Sequence, residues 1–354
     1  MEAFKTINKS YRSHILYKTL LVFIAICFYA PIGSALAVSS ISITPTSENS
    51  LKQTFAERLE LFEKVSLITG IPWSYIAAID QYERSISLAR KTPVRQGLVA
   101  IYISETDWAG SLNPDQLDMN PFSITLFRGL GRDGSEDGLA DRNNDLDLLA
   151  AVLGFISIRG IDEENLRIGL WDYYRNTRSV QRISQFAQIY AANATLDLFE
   201  HAFPLPISSN YSYHSTWGAR RGWGGLRIHE GTDLFANYGT PVRSTNHGII
   251  EIKGWNPYGG WRIGIRDLNN VYHYYAHLSG YNKKIKKNDI VKPGQIIGWV
   301  GSSGYGKPGT SGKFPPHLHF GLYRDNGLTE FSFDPYSYLR KWERQDSIRL
   351  RGKT

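Results

Sequence analysis

Four histidines and an aspartate in the C-terminal half stand at spacings that could hold a metal ion and use it. His229-Glu230-Gly231-Thr232-Asp233 sets an imidazole and a carboxylate four residues apart, and His317-Leu318-His319 sets two imidazoles two apart. Alternate residues of a strand project from the same face, so the rings of His317 and His319 can reach one site. Two imidazoles and one carboxylate leave a zinc ion an open fourth position, the arrangement of a hydrolytic centre. Zinc there brings the pKa of its water to about 7 and polarises a carbonyl. A third element, His277, lies in the aromatic run Tyr272 to Leu278. Each motif alone has a plainer explanation in surface or packing roles; their occurrence together in one region is what points to chemistry.

The elements that must position these residues change character along the chain. From 51 to about 200 the periodicity is helical: Phe55, Leu59, Phe62 and Val65 share one face. Gly70 ends that helix, Pro72 opens the next, and Tyr75, Ile76, Ile79 and Tyr82 line the inner face of the second. Leu146 to Ile158 and Val180 to Phe199 predict two more helices. Residues 203–212, with two prolines and a Ser/Asn cluster, read as a linker. Beyond it, Gly punctuates short β-branched and aromatic runs at 248–252, 261–265, 271–278, 296–300 and 317–323, an all-β spacing. The expected fold is α+β and multidomain: a helical domain at 51–202, then an antiparallel-sheet domain at 213–340 and a basic tail at 341–354.

At the other end, residues 1–37 carry Lys5, Lys9, Arg12 and Lys18, an apolar run from Thr19 to Ala30, and Ala35-Leu36-Ala37. This is the layout of a secretory signal peptide; the alternative is an uncleaved anchor, although the apolar run is short for one. Ile26 is too large to precede a lipoprotein cysteine. Cleavage removes four basic residues and one acidic, taking the formal charge from +7 to +4. Residues 38–50 read as a polar spacer. The single cysteine, Cys27, excludes an intramolecular disulfide framework and a Cys-based zinc site. A mildly basic exported chain favours an anionic wall as partner, and membrane contact only through the N-terminal segment if it is retained.

With these motifs in view, residues 217–323 resemble the LytM/lysostaphin-type zinc metallopeptidases, the M23 family. The three signatures occur in order: His229-Glu230-Gly231-Thr232-Asp233, Tyr275-Ala276-His277-Leu278 and Pro316-His317-Leu318-His319-Phe320. Gly239-Thr240-Pro241-Val242 and the stretch Val291 to Gly301 match as well, while Gly321 stands where many members carry Glu. The resemblance implies one zinc per chain held by His229, Asp233 and His319. It makes His277 and His317 the non-ligand catalytic pair, one taking a proton from the attacking water and the other steadying the oxyanion. By the period-two rule His273 and Tyr275 share the face of His277, which makes them candidate supporting groups; packing beneath the sheet is the alternative. The Gly-rich loop 301–312 is either a groove wall or a mobile connection. Trp223, Trp255 and Trp261 either stack on glycan or pack in a core.

In the helical region, Trp73 to Ser85 faintly resembles the surroundings of the catalytic glutamate in lytic transglycosylases, with Glu83 in its place and Arg84 where a Ser is usual. Asp133, Ser135, Asp137 and Asp141 have the spacing of a calcium loop, although its twelfth position is Asn144. Taken whole, the chain resembles the sporulation-associated L-alanyl–D-glutamate peptidases of spore-forming bacteria. The expected function is therefore zinc-dependent hydrolysis of peptidoglycan stem peptides at the wall, in the forespore or spore cortex, with no nucleic-acid partner. The alternatives are cleavage of a D,D- or glycyl cross-link, and a non-catalytic wall-binding scaffold, which would have no need of all five site residues.

Overall fold

The computed structural model describes residues 45–222 and 226–352, with side chains from residue 51 onward. The signal peptide, Cys27, the first part of the spacer and Trp223 lie outside the described residues. Among the described residues eight helices run as α1 (Pro45–Thr69), α2 (Trp73–Arg90), α3 (Glu105–Ala109), α4 (Pro121–Leu126), α5 (Asp145–Ile156), α6 (Glu163–Tyr174), α7 (Thr177–Asn193) and α8 (Tyr336–Arg351). The strands are β1 (Tyr211–Ser212), β2 (Arg220–Arg221), β3 (Arg227–Ile228), β4 (Thr232–Ala236), β5 (Pro241–Arg243) and β6 (Gly248–Asn256). They continue as β7 (Gly260–Arg266), β8 (Val271–Tyr281), β9 (Ile290–Val291), β10 (Ile296–Val300), β11 (His317–Asp325) and β12 (Glu330–Phe333).

Local chemistry sets the helix starts. Ser104, Asn120, Asn144, Asp162 and Asn176 each accept a hydrogen bond from a first-turn N–H of α3, α4, α5, α6 and α7 respectively. Inner faces follow the periodicity: Phe62 and Val65 of α1 and Ile76, Ile79 and Tyr82 of α2 are buried in one core with α5, α6 and α7. None of the described helices is long and apolar enough to cross a membrane.

The C-terminal half holds a large antiparallel sheet ordered β1-β4-β11-β8-β7-β6-β9, with β12 on β11 and β10 bridging β5 and β8, and a separate two-stranded pair, β2-β3. Its register sets His319 opposite Asp233 on one side and opposite Ala276 on the other. One face packs on a core that includes Leu234, Ile263, Tyr275, Leu318 and Phe320, which leaves alternate residues for the opposite face.

Helices and sheet form one compact unit, Pro45–Thr354. Ile249 and Leu268 of the sheet region belong to the helical core, and Gln81 of α2 donates to the Leu268 carbonyl at 2.9 Å. Three expectations change accordingly. The stretch at 203–212 is no simple tether, because Phe203 and Leu205 are fully buried in the sheet core. The basic tail is helical, the C-terminal part of α8, whose Leu339 and Trp342 are buried in the same core while Asp346 accepts from Phe203 N and Arg243. The last residues of the polar spacer form the first turns of α1.

Candidate metal centre and its cleft

Strands β4 and β11 bring Asp233 and His319 side by side, and the turn before β4 swings His229 over them. The approaching nitrogens and oxygen form a nearly equilateral triangle: His229 Nε2 to His319 Nδ1 is 2.9 Å, His229 Nε2 to Asp233 Oδ1 is 3.1 Å, and His319 Nδ1 to Asp233 Oδ1 is 3.0 Å. Donors so spaced fit three ligands each about 2.0–2.1 Å from one ion. Among the described residues this is the one such cluster of histidine and carboxylate donors. His229 Nδ1 donates to the Thr216 carbonyl at 2.9 Å, which leaves its Nε2 lone pair for a metal. Burial works to raise the Asp233 carboxyl, but the polar contact of His229, the hydrogen bond from His319 and the nearby histidine charge outweigh it and hold the group far below the usual carboxylate range. Its second oxygen accepts from Arg221.

His277 and His317 complete the centre. Their rings are 4.8 Å apart, His277 lies 5.9 Å from His319, and His317 Nε2 is 3.8 Å from Asp233 Oδ1. Each donates from Nδ1 to a backbone carbonyl at 2.8 Å, His277 to Ser303 and His317 to Pro315, so each presents a bare Nε2. Burial lowers the pKa of both, that of His277 most, with His317 and His319 adding repulsion there. Both rings are therefore neutral near pH 7.

His277 reaches this face through a β-bulge. Ile263 pairs with Tyr275 and Trp261 with Leu278, so β8 spends one residue more than β7, and His277 takes a left-handed φ of 62°. The alternation is broken there, which corrects the placement of His273 and Tyr275. They lie on the core face, where Thr245 Oγ1 meets both the Tyr275 hydroxyl and His273 Nδ1 at 2.7 Å, and Asp267 meets His273 Nε2 at 3.1 Å. Tyr274 takes the cleft side instead, its ring 5.8 Å from that of His319. Sequence reasoning missed Tyr274, and it missed Thr216 and Arg221, whose roles depend on tertiary approach with no local signal.

An open cleft of about 560 Å³ runs from the triad across the sheet to α7, which contributes Arg182 to its far wall. The Gly-rich loop forms part of that wall: Tyr305 lines it, and the Ser303 carbonyl holds His277. Phe314 packs on His277 at 4.6 Å. Trp255 and Trp261 pack edge-to-face at 5.1 Å, and Trp261 packs on Tyr281.

The other candidates fall outside this centre. Asp133 and Asp137 cap their own loop, Asp133 accepting from Asp137 N and Gly138 N and Asp137 from Leu139 N. Asp141 accepts from Asn143 N, and the buried Asp147 ties the loop down through Gly134 N, Ser135 N and Asp141 N. Asp133, Asp137 and Asp141 belong to no cluster of three or more histidine or carboxylate ligand atoms among the described residues. Glu83 lies away from the cleft, where burial raises its carboxyl to about 7 and Tyr174 donates to it at 2.7 Å.

These features define a peptidase of the metal-dependent kind, and comparison with known proteins agrees. Residues 227–331 match the model of peptidase family M23. The chain is 56% identical over 292 residues to the L-Ala–D-Glu endopeptidase of Bacillus subtilis (strain 168), covering 82% of this chain and 90% of that one. It is 41% identical over 115 residues to lysostaphin of Staphylococcus simulans, 32% of this chain and 22% of that protein. The lysostaphin catalytic domain structure covers 40% of this chain and 99% of its own, with 35% identity and a TM-score of 0.32. The chain belongs to peptidase family M23, a family of zinc metallopeptidases.

Proposed function

We propose that this protein is an exported zinc endopeptidase that hydrolyses the L-Ala–D-Glu bond of peptidoglycan stem peptides, with the spore cortex as its setting. One observation carries the reading: a metal-fitting triad with His277 and His317 beside it stands in a chain that matches an L-Ala–D-Glu endopeptidase along most of its length. His229, Asp233 and His319 would hold the zinc. Bound there, the ion supplies Lewis-acid polarisation of the scissile carbonyl and acidifies the attacking water.

The chain's own groups do the rest. Nδ1–H bonds to Ser303 and Pro315 fix the tautomers of His277 and His317, so each ring carries its lone pair on Nε2. One ring would accept the proton of the attacking water at Nε2 and pass it to the leaving nitrogen as the C–N bond breaks. The other would take a proton from solvent at Nε2 and with it steady the oxyanion. Arg221 and the Thr216 carbonyl hold Asp233 and His229 in place. The signal-like residues 1–37 would carry the chain to its wall substrate.

The test is purified chain incubated with spore-former peptidoglycan, with and without a zinc chelator, and new amino termini read by labelling and mass spectrometry. A chelator-sensitive D-glutamate terminus is expected. A glycine or D-amino-acid cross-link terminus moves the bond, and no terminus on walls of several chemistries shifts the reading to a scaffold.

A further inference from the structure

Building on that reading, we propose that Arg262 is the specificity residue that receives the free carboxylate of the D-glutamyl residue on the leaving side of the scissile bond. A D-glutamyl residue has two carboxyl groups; chain continuation uses one and leaves the other ionised beside the new amino terminus.

The cleft contains five arginines. Three already have carboxylate partners: Arg182 with Glu251 and Asp325, Arg266 with Glu251 and Glu330, and Arg221 with Asp233. Arg227 is solvent-exposed and stacked on Tyr258 at 4.9 Å, so water screens its charge. Arg262 differs from all four. It is half-buried, none of the ion pairs among the described residues includes it, and its Nε is buried without a hydrogen-bond partner. Its one side-chain neighbour of note is the neutral Tyr274, which it hydrogen-bonds. A partly desolvated guanidinium without a counter-charge is unfavourable in the free protein and strongly favours an arriving carboxylate, which it can grip with two parallel bonds.

Register places it where that carboxylate arrives. Asp233 pairs with His319, and His319 with Ala276. On the far side of β8, Arg262 occupies the bulge gap between Trp261, opposite Leu278, and Ile263, opposite Tyr275. Arg262 thus lies across the sheet from His319 at two strand spacings, about 9.6 Å between backbones. Tyr274 fills part of that interval, its ring packed on His319 and its polar end on Arg262. Ile263 points into the core, so its neighbour Arg262 points into the cleft.

The test compares a stem peptide containing D-glutamate with the same peptide whose free carboxylate is a carboxamide, using the full zinc-loaded chain and matched thermal melts. Wild type is expected to lose at least about tenfold in kcat/KM on amidation, chiefly through KM. Arg262→Gln should abolish that preference, and Arg262→Lys should keep part of it. Calorimetry on chelator-treated chain should show the carboxylate-bearing product binding wild type more tightly than Arg262→Gln. If wild type cuts both peptides equally, or Arg262→Gln keeps the full preference, the assignment is overturned while a D-glutamate terminus leaves the bond reading intact. A different new terminus in wild type overturns both. The wild-type substrate pair and the lysine variant keep the test decisive should the glutamine variant fold poorly.

Discussion

Replacing Gly231 by Ala should loosen the metal triad while leaving all three candidate ligands in the sequence. A Cβ at this position would stand 2.6 Å from His319 Cε1, 2.8 Å from its Nε2 and 2.7 Å from the Phe320 carbonyl. The carbonyl belongs to β11, whose Phe320 is paired with Thr232, so the strand cannot back away cheaply. The ring must therefore retreat by about 0.8 Å to reach ordinary contact, several times the roughly 0.2 Å tolerance of a metal–ligand distance. Expected losses are about 10–100-fold in zinc affinity, or about 1.4–2.7 kcal/mol, with about 1–3 kcal/mol of overpacking. Gly254→Ala is the control, since a Cβ there meets nothing within 4 Å in the same sheet. Competition against a chromophoric chelator gives the affinity, and urea unfolding of the metal-free protein gives the packing cost. Wild-type zinc affinity in Gly231→Ala would refute the reasoning, because it would mean the triad has slack that the contacts deny.

Three further outcomes are expected. His277→Ala and His317→Ala should each keep zinc yet lose about 10²–10⁴-fold in kcat, read as cleavage rate beside metal content; wild-type cleavage with zinc bound would exclude the proposed roles. Arg182→Ala removes one of the two arginines from Asp325, which keeps Arg178, and from Glu251, which keeps Arg266, at the junction of α7 with the sheet. It should cost about 1.5–3 kcal/mol in urea unfolding, the range for hydrogen bonds to charged groups; a cost below about 1 kcal/mol would mean the remaining arginines already suffice. Glu83 should make stability fall with rising pH, because its folded pKa of about 7 lies above the ordinary 4.5 and the unfolded chain releases the proton first. The loss develops between about pH 4.5 and 7, on the order of 3 kcal/mol, and Glu83→Gln should remove it; an unchanged pH slope in the variant would rule the group out as its source.

The order helices-then-sheet, helices α1, α2, α5 and α7, strands β6, β7, β8, β10 and β11, and the five residues of the candidate metal centre were legible from the sequence, because each rests on local information. Helical and alternating periodicities report which face is buried, and the His-x-His of β11 keeps its spacing whatever surrounds it. What periodicity could not reveal was where it breaks. One extra residue in β8 turned His277 to the cleft, sent His273 and Tyr275 into the core and put Tyr274 beside the triad. Nor could spacing announce that Thr216 and Arg221 brace His229 and Asp233, or that the expected linker and tail are packed, since these depend on segments far apart in the chain meeting across the fold. Arg262 is the sharpest case. In sequence it is one basic residue among 40, and only the counting of carboxylates around each cleft arginine distinguishes it. The kinds of group available to the chemistry are written locally; their partners, protonation and orientation are set by long-range packing and burial.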